Sequence, residues 1–95
     1  MRNYEIMYIL KADLDEAARA AEMEKLHKLL TGKGATINSV DEKMFGLREL
    51  AYPINDETKG YYVVVKVSAN NEALYEFARK VRHDANVLRH LVVVE

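Results

Sequence analysis

The sequence predicts an α+β fold in which two helices cover one face of a four-stranded antiparallel sheet. Three observations support this prediction. Four segments of the 95-residue chain alternate or concentrate apolar residues as strands do. Two other segments repeat apolar residues every three to four positions, as amphipathic helices do. The order is strand, helix, strand, strand, helix, strand, which is that of a split βαβ domain.

The first third of the chain is predicted to form a strand followed by a helix. Apolar and polar residues alternate over residues 2–10, as in a half-buried strand. A turn over residues 11–15 ends at Asp15, a residue type that caps helices, and Gly32 and Gly34 end the helix that follows. The side chains predicted to face the core are Tyr4, Ile6, Tyr8 and Leu10 in the strand and Met23, Leu26, Leu29 and Leu30 in the helix.

The middle of the chain predicts two consecutive strands. Residues 35–54 form a long extended segment with Gly46 inside it, where we expect a bulge or bend. Pro53 cannot donate a backbone hydrogen bond, which indicates that this is an edge strand. Residues 55–60, which end in a glycine, are predicted to form a hairpin loop. The β-branched and aromatic run 61–67 is typical of a central strand.

The last third of the chain predicts a helix and a final strand. Asn70 or Asn71 can cap the helix, and a turn over residues 83–86 leads to a strand over residues 87–94. The element order is therefore that of a ferredoxin-like split βαβ fold, and we expect one domain over residues 1–95. The predicted buried stripe of the second helix consists of Leu74, Phe77, Ala78 and Val81.

Composition narrows the possible functions. The chain has 49% hydrophobic and 31% charged residues, as folded soluble domains do. It has no cysteine, which excludes disulfides, thiolate metal sites and cysteine nucleophiles. The apolar stretch 6–10 is too short for a signal peptide or a membrane span, so a cytoplasmic location is predicted. A net charge of −1 argues against binding polyanions through bulk positive charge.

No residue pattern indicates catalysis. Ser39 and Ser68 have no histidine or carboxylate at a spacing typical of a nucleophile. His27, His83 and His90 lack the close spacing of a metal site, and we expect His90 to lie at the edge of the core. We therefore predict no catalytic residue, no metal and no cofactor. Three carboxylates near the start of the first helix are better explained by helix capping and the helix dipole than by a cation site. They are Asp13, Asp15 and Glu16.

Three segments resemble those of a known family. They are residues 1–5 (MRNYE), 46–55 (GLRELAYPIN) and 82–89 (RHDANVLR). Together they resemble the bacterial small-subunit ribosomal protein six family, and the central Gly-x-Arg-x-Leu-Ala-Tyr-x-Ile stretch is the most specific part. Two features depart from the family: Glu49 stands where relatives often have another basic residue, and the chain ends at Glu95 where many members carry a charged tail.

The resemblance implies a structural, non-enzymatic component of the small ribosomal subunit. It also implies that the chain pairs with small-subunit ribosomal protein eighteen and binds the central domain of small-subunit ribosomal RNA, in support of assembly and translation. No membrane partner is expected, and the free chain is expected to be a monomer.

Basic residues and the long second strand supply the predicted contacts. Arginine suits RNA because its planar guanidinium pairs with phosphate oxygens and stacks on unpaired bases. The predicted RNA-binding residues are Arg2, Arg48, Lys66, Arg82 and Arg89. The second strand, at a sheet edge, offers a protein partner unpaired backbone groups, although its charges also suit a role in preventing aggregation. The predicted partner-binding residues are Met44, Phe45, Leu47, Arg48 and Tyr62.

The uncovered sheet face is predicted to be an apolar surface rimmed by charge, which indicates an interaction site. Two rival functions stay open. An RNA-recognition module would stack bases on aromatic residues, of which this face offers Tyr62 alone. An acylphosphatase-like enzyme would cradle phosphate in the loop after the first strand, but residues 11–15 are acidic and lack glycine. The residues predicted on this face are Glu5, Met7, Ile9, Tyr62, Val64, Lys66, Arg89, Leu91 and Val93.

Overall fold

The computed structural model describes residues 2–54 and 57–95, except for the side chains of residues 42–48, 51, 52, 54 and 57. The elements follow the predicted order. They are β1 (Arg2–Lys11), α1 (Glu16–Thr31), β2 (Thr36–Ile54), β3 (Glu57–Ala69), α2 (Asn71–Val81) and β4 (Val87–Val94).

The four strands form one antiparallel sheet in the order β2-β3-β1-β4. This confirms the ferredoxin-like topology, with β3 and β1 central and β2 at an edge. The predicted hairpin loop is too long, because β3 begins at Glu57 and only residues 55–56 separate it from β2. Gly60 does not turn a hairpin: its backbone pairs with both Lys11 and Arg48 inside the sheet.

One core lies between the sheet and the two helices. The predicted inner side of β1 is buried there, with Tyr4 included, and α1 contributes Leu26 and Leu30 as expected. Met23 and Leu29 lie at its margin, partly buried. The α2 stripe is displaced slightly from the prediction. Its fully buried members are Ala73, Phe77 and Val81, whereas Leu74 and Ala78 are half-buried.

Both helices begin at the side-chain caps that the sequence suggests. The Asp15 carboxylate accepts a hydrogen bond from the Ala18 backbone N–H at 2.7 Å. Asn70, the first of the two candidate asparagines, caps α2 by accepting from the Ala73 N–H at 2.9 Å. Gly34, just after α1, has a φ of 87°, a left-handed conformation that glycine adopts without strain.

The two edge strands differ in regularity. The pairing of β2 with β3 shifts register three times, and one shift lies between Asp41 and Gly46, where the sequence predicts a bulge. By contrast, β4 pairs with β1 without interruption from Arg89 to Val94. The two edges of the sheet therefore present different backbone surfaces.

Candidate functional site

The strand register places the predicted open-face residues together on the side opposite the helices. In one row across the sheet, Tyr62 lies beside Ile9 and Ile9 beside Arg89. In the neighbouring rows, Val64, Met7 and Leu91 follow one another, and so do Lys66, Glu5 and Val93. The alternation predicted from sequence for all nine residues is confirmed by this register.

The apolar exposure of this face is concentrated on β4. Ile9 and Val64 are only 4% and 5% exposed although no helix covers them. Leu91 and Val93, in contrast, are 52% and 49% exposed. The exposed apolar surface of this face therefore lies at its β4 side, while its centre is buried, so the exposed area is smaller than the sequence predicts.

Gly60 contributes to the close packing around Ile9 at the centre of the open face. A Cβ atom at residue 60 would overlap the Cγ2 atom of Ile9 and lie 3.3 Å from the Cδ2 atom of Leu50. The absence of a side chain in β3 thus allows residues of β1 and β2 to meet above its backbone. The glycine is required for packing, where the sequence suggested only a turn.

A polar ladder crosses the opposite end of the sheet. The Asn38 side-chain amide donates to the Ser68 Oγ at 3.1 Å, and the Ser68 hydroxyl donates to the Asn3 Oδ1 at 2.6 Å. Three strands are joined by these two bonds. The Ser68 hydroxyl therefore bridges β1 and β2.

The predicted RNA-binding residues whose side chains the structure describes do not form a single patch. Lys66 and Arg89 are exposed on the open face. Arg2 alternates with buried Tyr4, so it projects from the helix side, and Arg82 follows α2 on that same side. Arg89 pairs with Ile9, near the end of β1 opposite to Arg2. The span from residue 2 to residue 9 of an extended strand is about 24 Å, so Arg2 and Arg89 are far apart.

The predicted partner site lies mainly on β2. The backbones of Leu47 and Arg48 pair with Tyr61 and Gly60 of β3, at the edge of the sheet as expected. The side chains of Met44, Phe45, Leu47 and Arg48 fall outside the described residues. Tyr62 is described: its side chain is half-buried and it pairs with both Gly46 and Ile9.

Two of the three histidines contribute side-chain contacts to the fold. The His27 ring and the Tyr8 hydroxyl form a hydrogen bond of 2.8 Å. His90 packs edge-on against Phe77, with ring centroids 6.1 Å apart. Burial lowers the pKa of His90, and the positive charge of Arg82 lowers it further. His90 is thus the core-edge histidine that the sequence predicts.

A buried ionic cluster is the main feature that the sequence interpretation missed. Glu22 in α1 is only 6% exposed and accepts a hydrogen bond of 3.0 Å from the Asn86 side chain. Lys25 lies 3.2 Å from Glu22 and 2.9 Å from Asp84, and Asp84 also accepts from the Asn86 backbone at 3.0 Å. Glu22 stands one helical turn before buried Leu26, so its inward position could have been found from the spacing.

The pKa values of the two carboxyl groups of the cluster, Glu22 and Asp84, are shifted in opposite directions. Burial raises the pKa of Glu22, and its hydrogen bond with Asp84 adds to the rise. Burial alone would raise the pKa of Asp84 as well, but its hydrogen bonds with Glu22, Lys25 and the Asn86 backbone lower it. Of the two carboxyl groups, Asp84 therefore gives up its proton more readily than Glu22.

Two further properties bear on the functional class. Among the side chains that the structure describes, no three histidine or acidic groups lie together as metal ligands would. Neither helix within the described part of the chain has the length and apolar character needed to cross a membrane.

Comparison with known proteins agrees with this geometry. The family model described as Ribosomal protein S6 matches residues 3–94. Small ribosomal subunit protein bS6 of Shouchella clausii (strain KSM-K16) is 48% identical over 92 residues, which are 97% of this chain and 95% of that protein. The crystal structure of 30S ribosomal protein S6 from Thermotoga maritima superposes with a TM-score of 0.90 over 99% of this chain and 87% of that one. At 24% identity, this last likeness shows the fold.

The sequence match carries the assignment and the structural match agrees with it. The resemblance predicted from three short segments is confirmed over almost the whole chain. The chain belongs to the ribosomal protein S6 family. It is a structural, non-enzymatic component of the small ribosomal subunit in the cytoplasm.

Proposed function

We propose that the chain binds the central domain of small-subunit ribosomal RNA together with small-subunit ribosomal protein eighteen, and so supports assembly of the subunit. The observation that carries this proposal is the open sheet face, where the exposed apolar residues of β4 lie on the same strand as the exposed cation Arg89, and the exposed cation Lys66 lies two strands away on β3. A surface of this kind suits an RNA backbone at its charges and a protein at its apolar part.

The spacing of the cations favours recognition of RNA shape. Lys66 and Arg89 are separated by two strand intervals and about four residues of rise, or roughly 17 Å. One phosphate cannot bridge that distance, so the two side chains are expected to contact separate parts of a folded RNA. Stacking of successive bases has little support, because Tyr62 is the aromatic residue that this face offers among the described side chains.

The RNA contact is tested by measuring affinity for a central-domain RNA fragment as a function of salt. Each lost phosphate contact should reduce the salt slope by about 0.7 to 0.9. We expect Arg89→Gln and Lys66→Gln each to weaken binding by about three- to tenfold at low salt. Lys28→Gln is the matched control, since Lys28 is 72% exposed on the helix side. Unchanged affinity and slope in both sheet variants would exclude these residues from the interface.

The protein contact is tested separately, in the absence of RNA. Titration calorimetry with purified ribosomal protein eighteen should show a loss of about tenfold or more for Tyr62→Ala, because a half-buried tyrosine at an interface often contributes strongly. Exposed Tyr75 on α2 provides the control substitution Tyr75→Ala. Equal binding by the two variants would move the partner site away from β3 and its neighbouring edge strand.

A further inference from the structure

The outer edge of β4 is a regular and uncharged stretch of backbone. The strand lies at the end of the sheet, and residues 90–94 contain no acidic or permanently charged side chain. Leu91, Val93 and Val94 are all about half exposed, at 52%, 49% and 56%. Soluble proteins usually interrupt or charge such an edge, because unpaired backbone groups invite another strand.

The other edge of the same sheet has those protections. Pairing of β2 with β3 shifts register three times, which interrupts the row of backbone groups. The strand also contains Pro53 and the charged residues Asp41 and Glu49. Since the fold protects one edge and leaves the other regular, the β4 edge is suited to strand pairing.

The hydrogen bonds of β4 show which of its backbone groups face outward. The Glu95 N–H donates to the Asn3 carbonyl of β1 at 3.0 Å, so the odd-numbered residues of this stretch bond to β1. Adjacent residues of a strand point their N–H and C=O groups in opposite directions. His90, Val92 and Val94 therefore direct theirs away from the sheet.

We propose that this edge pairs with the β4 edge of a second copy of the chain, antiparallel and about a two-fold axis at Val92. His90 then bonds to the second copy's Val94, and Val92 to its own counterpart. On the open face, Leu91 lies beside the second copy's Val93 and Arg89 beside the second copy's Glu95. A shift by two residues would instead set Arg89 opposite Val93, so opposite charge and apolar contact together select this register.

The pairing closes on itself. Both copies use the same surface, and the combined sheet ends at two β2 edges, each with bulges and charges. Pairing through a single short strand edge is expected to bury less than the roughly 1,200 Å² of a standard stable complex, so we expect a dissociation constant on the order of 0.1 to 1 mM. The chain is then monomeric when dilute, as the sequence predicts. Because Arg89 is shared, dimerisation competes with an RNA contact through that residue.

Sedimentation equilibrium of the full chain without RNA tests the pairing and its register. We expect the average mass to rise from monomer to dimer between about 10 μM and 2 mM, and no further. Arg89→Glu and Glu95→Arg should each weaken association by about tenfold, and the double variant should restore it to within about threefold. Lys28→Glu makes the same change from a positive to a negative charge on α1, away from the β4 edge, and should leave association unchanged.

Hydrogen exchange gives an independent measurement on the native chain. Raising the concentration should slow exchange of the His90, Val92 and Val94 amides and leave Leu91 and Val93 unchanged, because the latter already bond to β1. If the chain stays monomeric at all these concentrations, the proposal is wrong. The β4 edge would then be available to a strand of another protein. Growth beyond a dimer, protection elsewhere, or charge exchange without restoration would overturn it equally.

Discussion

The glycine in the middle of β3 permits a sharp test of how the open face is packed. Gly60→Ala places a Cβ atom onto the Ile9 Cγ2 atom and 3.3 Å from the Leu50 Cδ2 atom. Ile9 is 4% exposed, so its side chain has little room to move away. Overpacking of this kind costs about 1 to 3 kcal/mol, against a gain of at most about 1 kcal/mol from replacing a glycine inside a strand.

The net effect on stability should therefore be a loss of about 1 to 2 kcal/mol in the free energy of unfolding. For a chain of this size, that loss lowers the melting temperature by about 4 to 15 °C. Urea unfolding followed by circular dichroism measures the free energy directly. A Gly60→Ala variant as stable as the parent, or more stable, would refute the contact with Ile9.

A double-mutant cycle separates this contact from other effects of alanine. Ile9→Ala alone should cost about 2 to 5 kcal/mol, because it empties a buried site. In that background the Cγ2 atom is absent, so Gly60→Ala should be neutral or stabilising. An equal penalty for Gly60→Ala in both backgrounds would show that the strain arises elsewhere, for example at the Leu50 Cδ2 atom 3.3 Å away.

Three further predictions concern the buried polar groups. Tyr8→Phe removes the hydrogen bond to His27 and should lower the free energy of unfolding by about 1 kcal/mol in urea denaturation, whereas no loss would mean the bond is replaced by water. Because the pKa of Glu22 is raised in the folded state, its contribution to stability is present at acidic pH and is lost as pH rises through that pKa. The free energy of unfolding of Glu22→Gln, relative to that of the parent, should therefore increase as the pH rises from acidic towards neutral, and a difference independent of pH would contradict this. Arg82→Ala should raise the pKa of His90 in an NMR titration, and no change would show that burial alone lowers it.

Local periodicity was sufficient to predict most of the fold. Alternation in β1 assigned Tyr4, Ile6, Tyr8 and Leu10 to the core, and all four are buried. The start of β3 was placed too late because Thr58 and Lys59 are polar, and a residue next to an edge strand can be polar and still pair. Alternation placed Ile9 and Val64 on the open face correctly. It could not predict their burial, because alternation assigns a side chain to one face of the sheet and does not show what packs against it there.

The ionic cluster shows the limit of reading one segment at a time. Glu22 and Asn86 are separated by 64 residues, and nothing local to either indicates the contact. The helical spacing of Glu22 relative to Leu26 predicts that it faces inward, but its partners come from a turn on another element. Long-range pairing of polar groups follows from the assembled fold.

The segment 82–89 that resembles the family serves two purposes in this structure. Asp84 and Asn86 hold the turn before β4 against α1, and the Asn86 carbonyl also accepts from the Lys11 N–H at 3.0 Å, at the end of β1. Arg82 and Arg89, on either side of this turn, remain at the surface. The cluster fixes where β4 begins, and strand alternation then decides which face Arg89 occupies. The contacts of Asp84 and Asn86 with α1 and β1 thus help to determine where the basic side chains of this segment project.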